Sequence, residues 1–224
     1  MPNVKPILFN TEMVRAILDG RKTVTRRIAD INTEITCNDG TANHDFVLDN
    51  FTGGTPNGFV CRKCGFGVAP PHSRVPCGTS LFRPRYWPGD ILYVRETWAK
   101  MVDLGTISHA GYVYRGDFDD NELHEMAEKH FTWKPSIHMP KEAARIFLRV
   151  KDVRVERLNA MQEDDAIAEG FPDLGVDADS PLERFAALWD KTISRDQIDV
   201  LGWYANPWVW VIEFERISKE EATP

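Results

Sequence analysis

Thr11-Glu12-Met13-Val14-Arg15-Ala16-Ile17-Leu18-Asp19-Gly20-Arg21-Lys22-Thr23-Val24-Thr25-Arg26-Arg27 is the stretch on which the reading of this chain turns. Residues 11–19 have the spacing of a short amphipathic helix. Thr11 suits the N-cap, Met13, Val14, Ile17 and Leu18 form the apolar face, and Gly20 is a terminator. Beyond the glycine, four cations and two hydroxyls crowd into seven residues. Lys and Arg bind phosphate and carbonyl oxygens, and Thr donates, accepts or, once deprotonated, attacks. Arg21, Lys22, Thr23, Arg26 and Arg27 are therefore candidate ligand contacts. The competing reading of the same residues is a solvated basic loop.

Composition limits the partners. The chain has 224 residues, 42% hydrophobic and 27% charged, which fits one large domain or one domain carrying an insertion. Its net charge of −7 argues against a long basic face that grips duplex nucleic acid. The positive charge is local: Lys5, Arg15, Arg21, Lys22, Arg26 and Arg27 oppose only Glu12, Asp19 and Asp30 within residues 1–30. That excess suits a nucleoside, a nucleotide or a short single strand. No apolar run approaches the roughly 18 residues that span a bilayer, and Met1–Lys5 lacks a signal pattern. A cytoplasmic protein with no membrane partner is expected.

Cys37, Cys61, Cys64 and Cys77 are the chain's four cysteines, all within one short segment. A reducing compartment disfavours disulfides. The two-residue gap in Cys61-Arg62-Lys63-Cys64 lets both thiolates turn onto one metal, and four thiolates complete a tetrahedral structural Zn2+ site. Four unligated thiols are the alternative, and His44 or His72 are substitute ligands. Residues 31–77 are rich in Asn, Asp, Gly, Thr and Pro and read as an insertion pinned by metal.

Elsewhere the chain alternates short strands with few helices. Strands are expected at 5–9, from Ile91 after the Pro88-Gly89-Asp90 turn, at 111–115, at 144–158 as one piece or two, and at 209–215. Helices are expected weakly at 120–130, at 159–170 with Gly170 as its stop, and at 181–190 with Leu182, Phe185, Ala186 and Trp189 inward. No strand–helix rhythm supports a doubly wound sheet. A β-rich α+β fold, a small closed barrel with helices over its mouth, fits better.

The order of these pieces resembles the ASCH domain, a branch of the PUA-like β-barrels. Ile17–Arg27 is similar to the family's helix-Gly-basic-Lys-Thr signature, Pro88–Glu96 to its turn and strand, and Val150–Gly170 with the Trp-rich last strand to its second half. Arg95-Glu96-Thr97-Trp98 and Pro135–Pro140 resemble a longer subgroup common in bacteriophage and prophage genomes. The resemblance spans 1–30 and 78–217 and implies a barrel core there; the four-cysteine zinc insertion at 31–77 is a departure from the small member type, and 218–224 reads as a polar tail. It implies binding of RNA or a nucleoside. One small member type removes acetyl from N4-acetylcytidine with a lysine, a threonine and a glutamate, which fall here on Lys22, Thr25 and Glu169. This chain is about twice that length, and such motifs carry fold better than reaction.

If that activity transfers, Thr25 is the nucleophile, Lys22 the base and Glu169 the acid that serves the leaving amine. Lys22 and Thr25 lie three apart, so the mechanism requires a bent segment between them. The alternatives are a phosphate-binding Lys22, a turn-capping Thr25 and a surface-paired Glu169, in a non-catalytic single-stranded RNA module or a phage-encoded protein-interaction module. Of the adjacent pair Arg95 and Glu96, Arg95 is expected in the pocket, with Glu96 bridging Arg26 or Arg27 as the structural alternative. Tyr93, Trp87 and Trp98 are candidate base-stacking rings or core residues, and His138 a core or loop histidine.

Overall fold

The computed structural model describes residues 3–29, 46–49, 58–61, 67–68, 84–101, 111–128, 131–175 and 178–222. In chain order the first elements are β1 (Val4–Leu8), α1 (Thr11–Leu18), β2 (Val24–Ile28), β3 (Phe46–Asp49), β4 (Gly58–Cys61) and β5 (Gly67–Val68). Next come β6 (Ile91–Arg95), β7 (Trp98–Met101), β8 (Gly111–Tyr114), α2 (Asp120–Glu128) and β9 (Phe147–Arg157). The last are α3 (Glu163–Ala168), α4 (Pro181–Thr192), α5 (Ile198–Leu201), β10 (Trp208–Ile217) and α6 (Lys219–Ala222). The architecture is mixed α and β, and none of the described helices is long and apolar enough to cross a membrane. Residues 144–158 yield one continuous strand rather than two.

The chain divides into two compact units. The first comprises Met1–Thr23, Gly89–Val150 and Phe214–Pro224; the second comprises Val24–Pro88 and Lys151–Glu213. This division cuts through the signature itself, between Thr23 and Val24.

In the first unit β1 runs parallel to β6, with Val4 opposite Ile91 and Leu8 opposite Arg95. β6 is antiparallel to the start of β9, and β7 to β8. Ile91, Trp98, Met139, Ala143, Ala144 and Phe147 form a core with Ile217 and Ala222. The expected polar tail is therefore partly structural: Ser218 and Glu221 cap each other's backbone N–H, and Ala222 is buried. Asn10, not Thr11, is the N-cap of α1, because its extended backbone lets the side chain accept from Met13 N–H at 2.8 Å. Gly20 ends the helix at φ 75°, a left-handed conformation that side chains disfavour.

In the second unit β2 is antiparallel to β10, with Thr25 opposite Ile212 and Arg26 opposite Val211. β3 pairs with β9 and β4, and β4 with β5. Val24, Leu158, Met161, Ala166, Phe185, Trp189, Val209 and Val211 make its core. Ser180 and Glu183 form a reciprocal capping box, and Pro181 occupies the first turn of α4. The helix expected over 159–170 is shorter. A 3-10 turn at Leu158–Ala160 precedes it, Met161 is extended, and the helix starts where Asp165 accepts from Gln162 N–H at 3.0 Å. Within neither unit do the strand pairings among the described residues close into a ring.

Cys37, Cys64 and Cys77 lie outside the described residues, as do His44 and His72, and of Cys61 only its place at the end of β4 is described. Among the described residues no group of three His, Cys, Asp or Glu is arranged to hold a metal.

Candidate functional site

Six polar or charged residues are buried among the described ones: Lys22, Thr25, Arg26, Asp90, Glu96 and Glu169. Two of them, Asp90 and Glu96, lie outside the signature and the Glu169 helix end. Lys5 Nζ lies 2.6 Å from Asp90 Oδ2, and Arg145 holds both oxygens of Glu96 at 2.9 Å. The other four come from the signature and from the Glu169 helix end.

In the first unit, the closure of α1 fixes the backbone of Lys22. Arg21 and Lys22 N–H both donate to the Ala16 carbonyl after the left-handed Gly20. The Lys22 ammonium sits 5.5 Å from the centre of the Phe9 ring, a cation–π distance. Phe9 in turn meets Phe214. Lys22 precedes β2, so strand alternation does not force it opposite Thr25. Arg21 and Thr23 are exposed; Arg21 pairs with Asp19 at 2.8 Å, and the Thr23 carbonyl accepts from Phe214 N–H.

In the second unit, β2 alternates Val24 and Arg26 on one face and Thr25 and Arg27 on the other. Val24 enters the core beside Ala166 of α3, and Arg26 meets the carboxylates of the same helix. Its Nη1 lies 3.5 Å from Glu169 Oε1, and its Nη2 lies 3.4 Å from Asp165 and 3.7 Å from Glu156. Nε and Nη2 are buried without a hydrogen bond. Glu169 is the C-cap of α3, its N–H bonded to Asp165 O, with Gly170 left-handed after it at φ 104°. Lys22 and Glu169 thus share one local device, a helix closed by a glycine.

Arg27 keeps exposed surface, but its charge is sunk among neighbours. Burial lowers its pKa, Glu169 and Tyr86 oppose that, and Arg85 adds to it. Tyr86 is buried, and its phenol is pushed up by burial against the pull of Arg85 and Arg27. Asp165, one turn before Glu169, and Glu156 on β9 were not read from the sequence. The Asp165–Glu169 spacing of four carries the signal for the first; Glu156 has none.

The expectation for Arg95 and Glu96 is reversed. Glu96 is the buried member at 1% exposure. Arg95 is half-buried and donates to the carbonyls of Met139 at 3.0 Å and of Ile137. Arg145 takes both oxygens of Glu96. A bidentate guanidinium within the first unit satisfies a buried carboxylate better than a single cation. Tyr93 packs against the first core, and Trp98 is core, edge-on to Tyr112 with Lys134 above it. Trp87 is half-buried, and His138 is exposed at the end of a 3-10 turn, Ser136–His138.

Comparison with family models, characterised proteins and solved structures finds no match.

Proposed function

We propose that this chain is a nucleoside-binding protein of the ASCH type that hydrolyses the acyl amide of an N4-acylated cytidine. The observation that supports it is burial: Lys22, Thr25 and Glu169 are each 3% exposed. A solvated basic loop and a surface helix end predict the opposite, since Lys and Glu are rarely fully buried without a purpose that repays desolvation.

In this reading Thr25 Oγ attacks the acyl carbon while Lys22, in its neutral form, takes the hydroxyl proton. The tetrahedral oxyanion collapses, the C–N4 bond breaks, and the proton that Lys22 took is passed through Glu169 to the departing cytosine amine. Water then cleaves the threonine ester, releasing the carboxylic acid and restoring Thr25. Arg26 holds Glu169 in place, and its buried Nε and Nη2 are donors for the ligand. The PUA-like barrel and a structural zinc on Cys37, Cys61, Cys64 and Cys77 belong to the same proposal. The zinc part rests on the cysteine spacing alone and takes no step in the reaction.

Incubating the purified chain with N4-acetylcytidine tests the activity: cytidine is released, and Lys22→Ala or Thr25→Ala abolishes release. No cytidine, or equal release by Lys22→Ala, overturns it. Elemental analysis of untagged protein gives about one zinc per chain if the metal proposal holds.

A further inference from the structure

We propose that Glu96 and Arg145 are positioning residues for Lys22, acting through the Arg115–Asp117 turn and α1. The inference rests on the reading of Lys22 as the working base, and every contact that carries it lies within the first unit.

The chain of contacts starts at Glu96, 1% exposed, whose two oxygens accept from Arg145 Nε and Nη2 at 2.9 Å each. The remaining terminal nitrogen, Nη1, lies 2.8 Å from Asp117 Oδ2, so one guanidinium ties the end of β6 to the turn. Beneath it Tyr114 presents its ring at 4.0 Å, and its hydroxyl donates to Ala143 O at 2.6 Å. The turn is thereby fixed on two sides.

It is then locked to the helix. Gly116 lies so close to α1 that a Cβ added there stands 3.2 Å from Val14 Cγ1 and 3.6 Å from Glu96 Oε2. Arg15, the next helical residue, donates to the carbonyls of Gly116 at 3.3 Å and of Phe118. The far end of α1 is Gly20, and the Ala16 carbonyl that holds Lys22 N–H lies one position beyond Arg15. A helix pinned at Val14 and Arg15 fixes the Ala16 carbonyl. That carbonyl sets where the Lys22 side chain departs. No ligand contact by Glu96 is needed. A carboxylate so fully used by Arg145 is poorly suited to substrate.

The test labels lysines on the folded full-length chain with trace acetic anhydride and reads each site by mass spectrometry. In the wild type Lys22 reacts at least tenfold more slowly than exposed Lys134. Glu96→Gln and Gly116→Ala each raise Lys22 labelling about fivefold. Lys5, which Asp90 holds outside this network, stays unchanged. The double variant Val14→Ala/Gly116→Ala restores the wild-type ratio, because it removes the Val14 Cγ1 that the new Cβ would crowd. Unchanged Lys22 labelling in both single variants overturns the proposal, as does a parallel rise at Lys5, which marks general loosening. Should Glu96→Gln fail to fold, Gly116→Ala and its rescue decide alone. With N4-acetylcytidine, Glu96→Gln lowers kcat/KM about tenfold. If the wild type itself releases no cytidine, the catalytic reading fails while the labelling pattern still decides the positioning.

Discussion

The Arg145–Glu96 pair of the first unit and the Arg26–Glu169 pair of the second both bury a carboxylate against a guanidinium, and they are built differently. Arg145 and Glu96 meet through two bonds of 2.9 Å, with a third to Asp117, and every oxygen of Glu96 is used. Arg26 meets Glu169 at 3.5 Å through one nitrogen, is approached by Asp165 and Glu156 from 3.4 and 3.7 Å, and leaves Nε and Nη2 buried without a bond. A buried ion pair repays its desolvation only when geometry is good and the remaining donors and acceptors are satisfied. The first pair holds a turn and meets the geometric part of that condition, although burial still outweighs Arg145 at Glu96. The second does not, and an arrangement that forgoes its own best hydrogen bonds is one a ligand can complete.

The contrast can be broken at several points. The largest effect is expected at the incomplete pair in an activity assay: Glu169→Gln lowers kcat/KM for N4-acetylcytidine by about 10²–10⁴-fold, the range for losing a general acid. Its urea midpoint barely moves. Equal loss of activity and stability would make Glu169 a structural residue. At the complete pair the order is reversed. Glu96→Gln costs about 3 kcal/mol by urea unfolding, the low end for breaking a buried pair, because Arg145 keeps Asp117 and is 27% exposed. Arg26→Met costs less, about 1 kcal/mol, since that guanidinium repays little of its burial and Arg27 remains to compensate Glu169. A larger cost for Arg26→Met than for Glu96→Gln would erase the distinction between the pairs.

The smallest effect is a pH dependence. Burial pushes the Glu96 carboxyl above the ordinary carboxylate range, and Arg145 opposes this only in part. A raised folded-state pKa means the folded chain binds the proton more tightly than the unfolded one. Its stabilising contribution is then complete below the unfolded value of about 4.3 and is lost as pH rises through the folded value. The stability gap between wild type and Glu96→Gln therefore narrows as pH rises above about 4.3. A gap that widens over that range would mean Arg145 outweighs burial.

Much of the local structure was legible. Gly20 and Gly170 end the helices beside Lys22 and Glu169, and the helix expected over 181–190 is α4. These signals act within a turn, so four or five residues hold the whole instruction. The errors are also instructive. Thr11 lost the cap to Asn10 because two adjacent polar residues compete and only the backbone angle chooses. Arg95 was expected inward and Glu96 was found there, because alternation says that one of two neighbours faces in but not which. Arg145 decided that from 49 positions away. The cysteine segment is legible only as spacing.

What the sequence determined by itself is the set of helix ends, strand runs and the concentration of cations after α1. All of these follow from steric and hydrogen-bonding rules that reach three or four residues. Which of the charges would be buried, and whether its partners would meet it well or badly, was decided by the tertiary structure. Arg26 and Glu169 are 143 positions apart, and nothing local to either records the other. Burial is a property of segments brought together by packing, so the charge that matters is chosen only after the chain has folded.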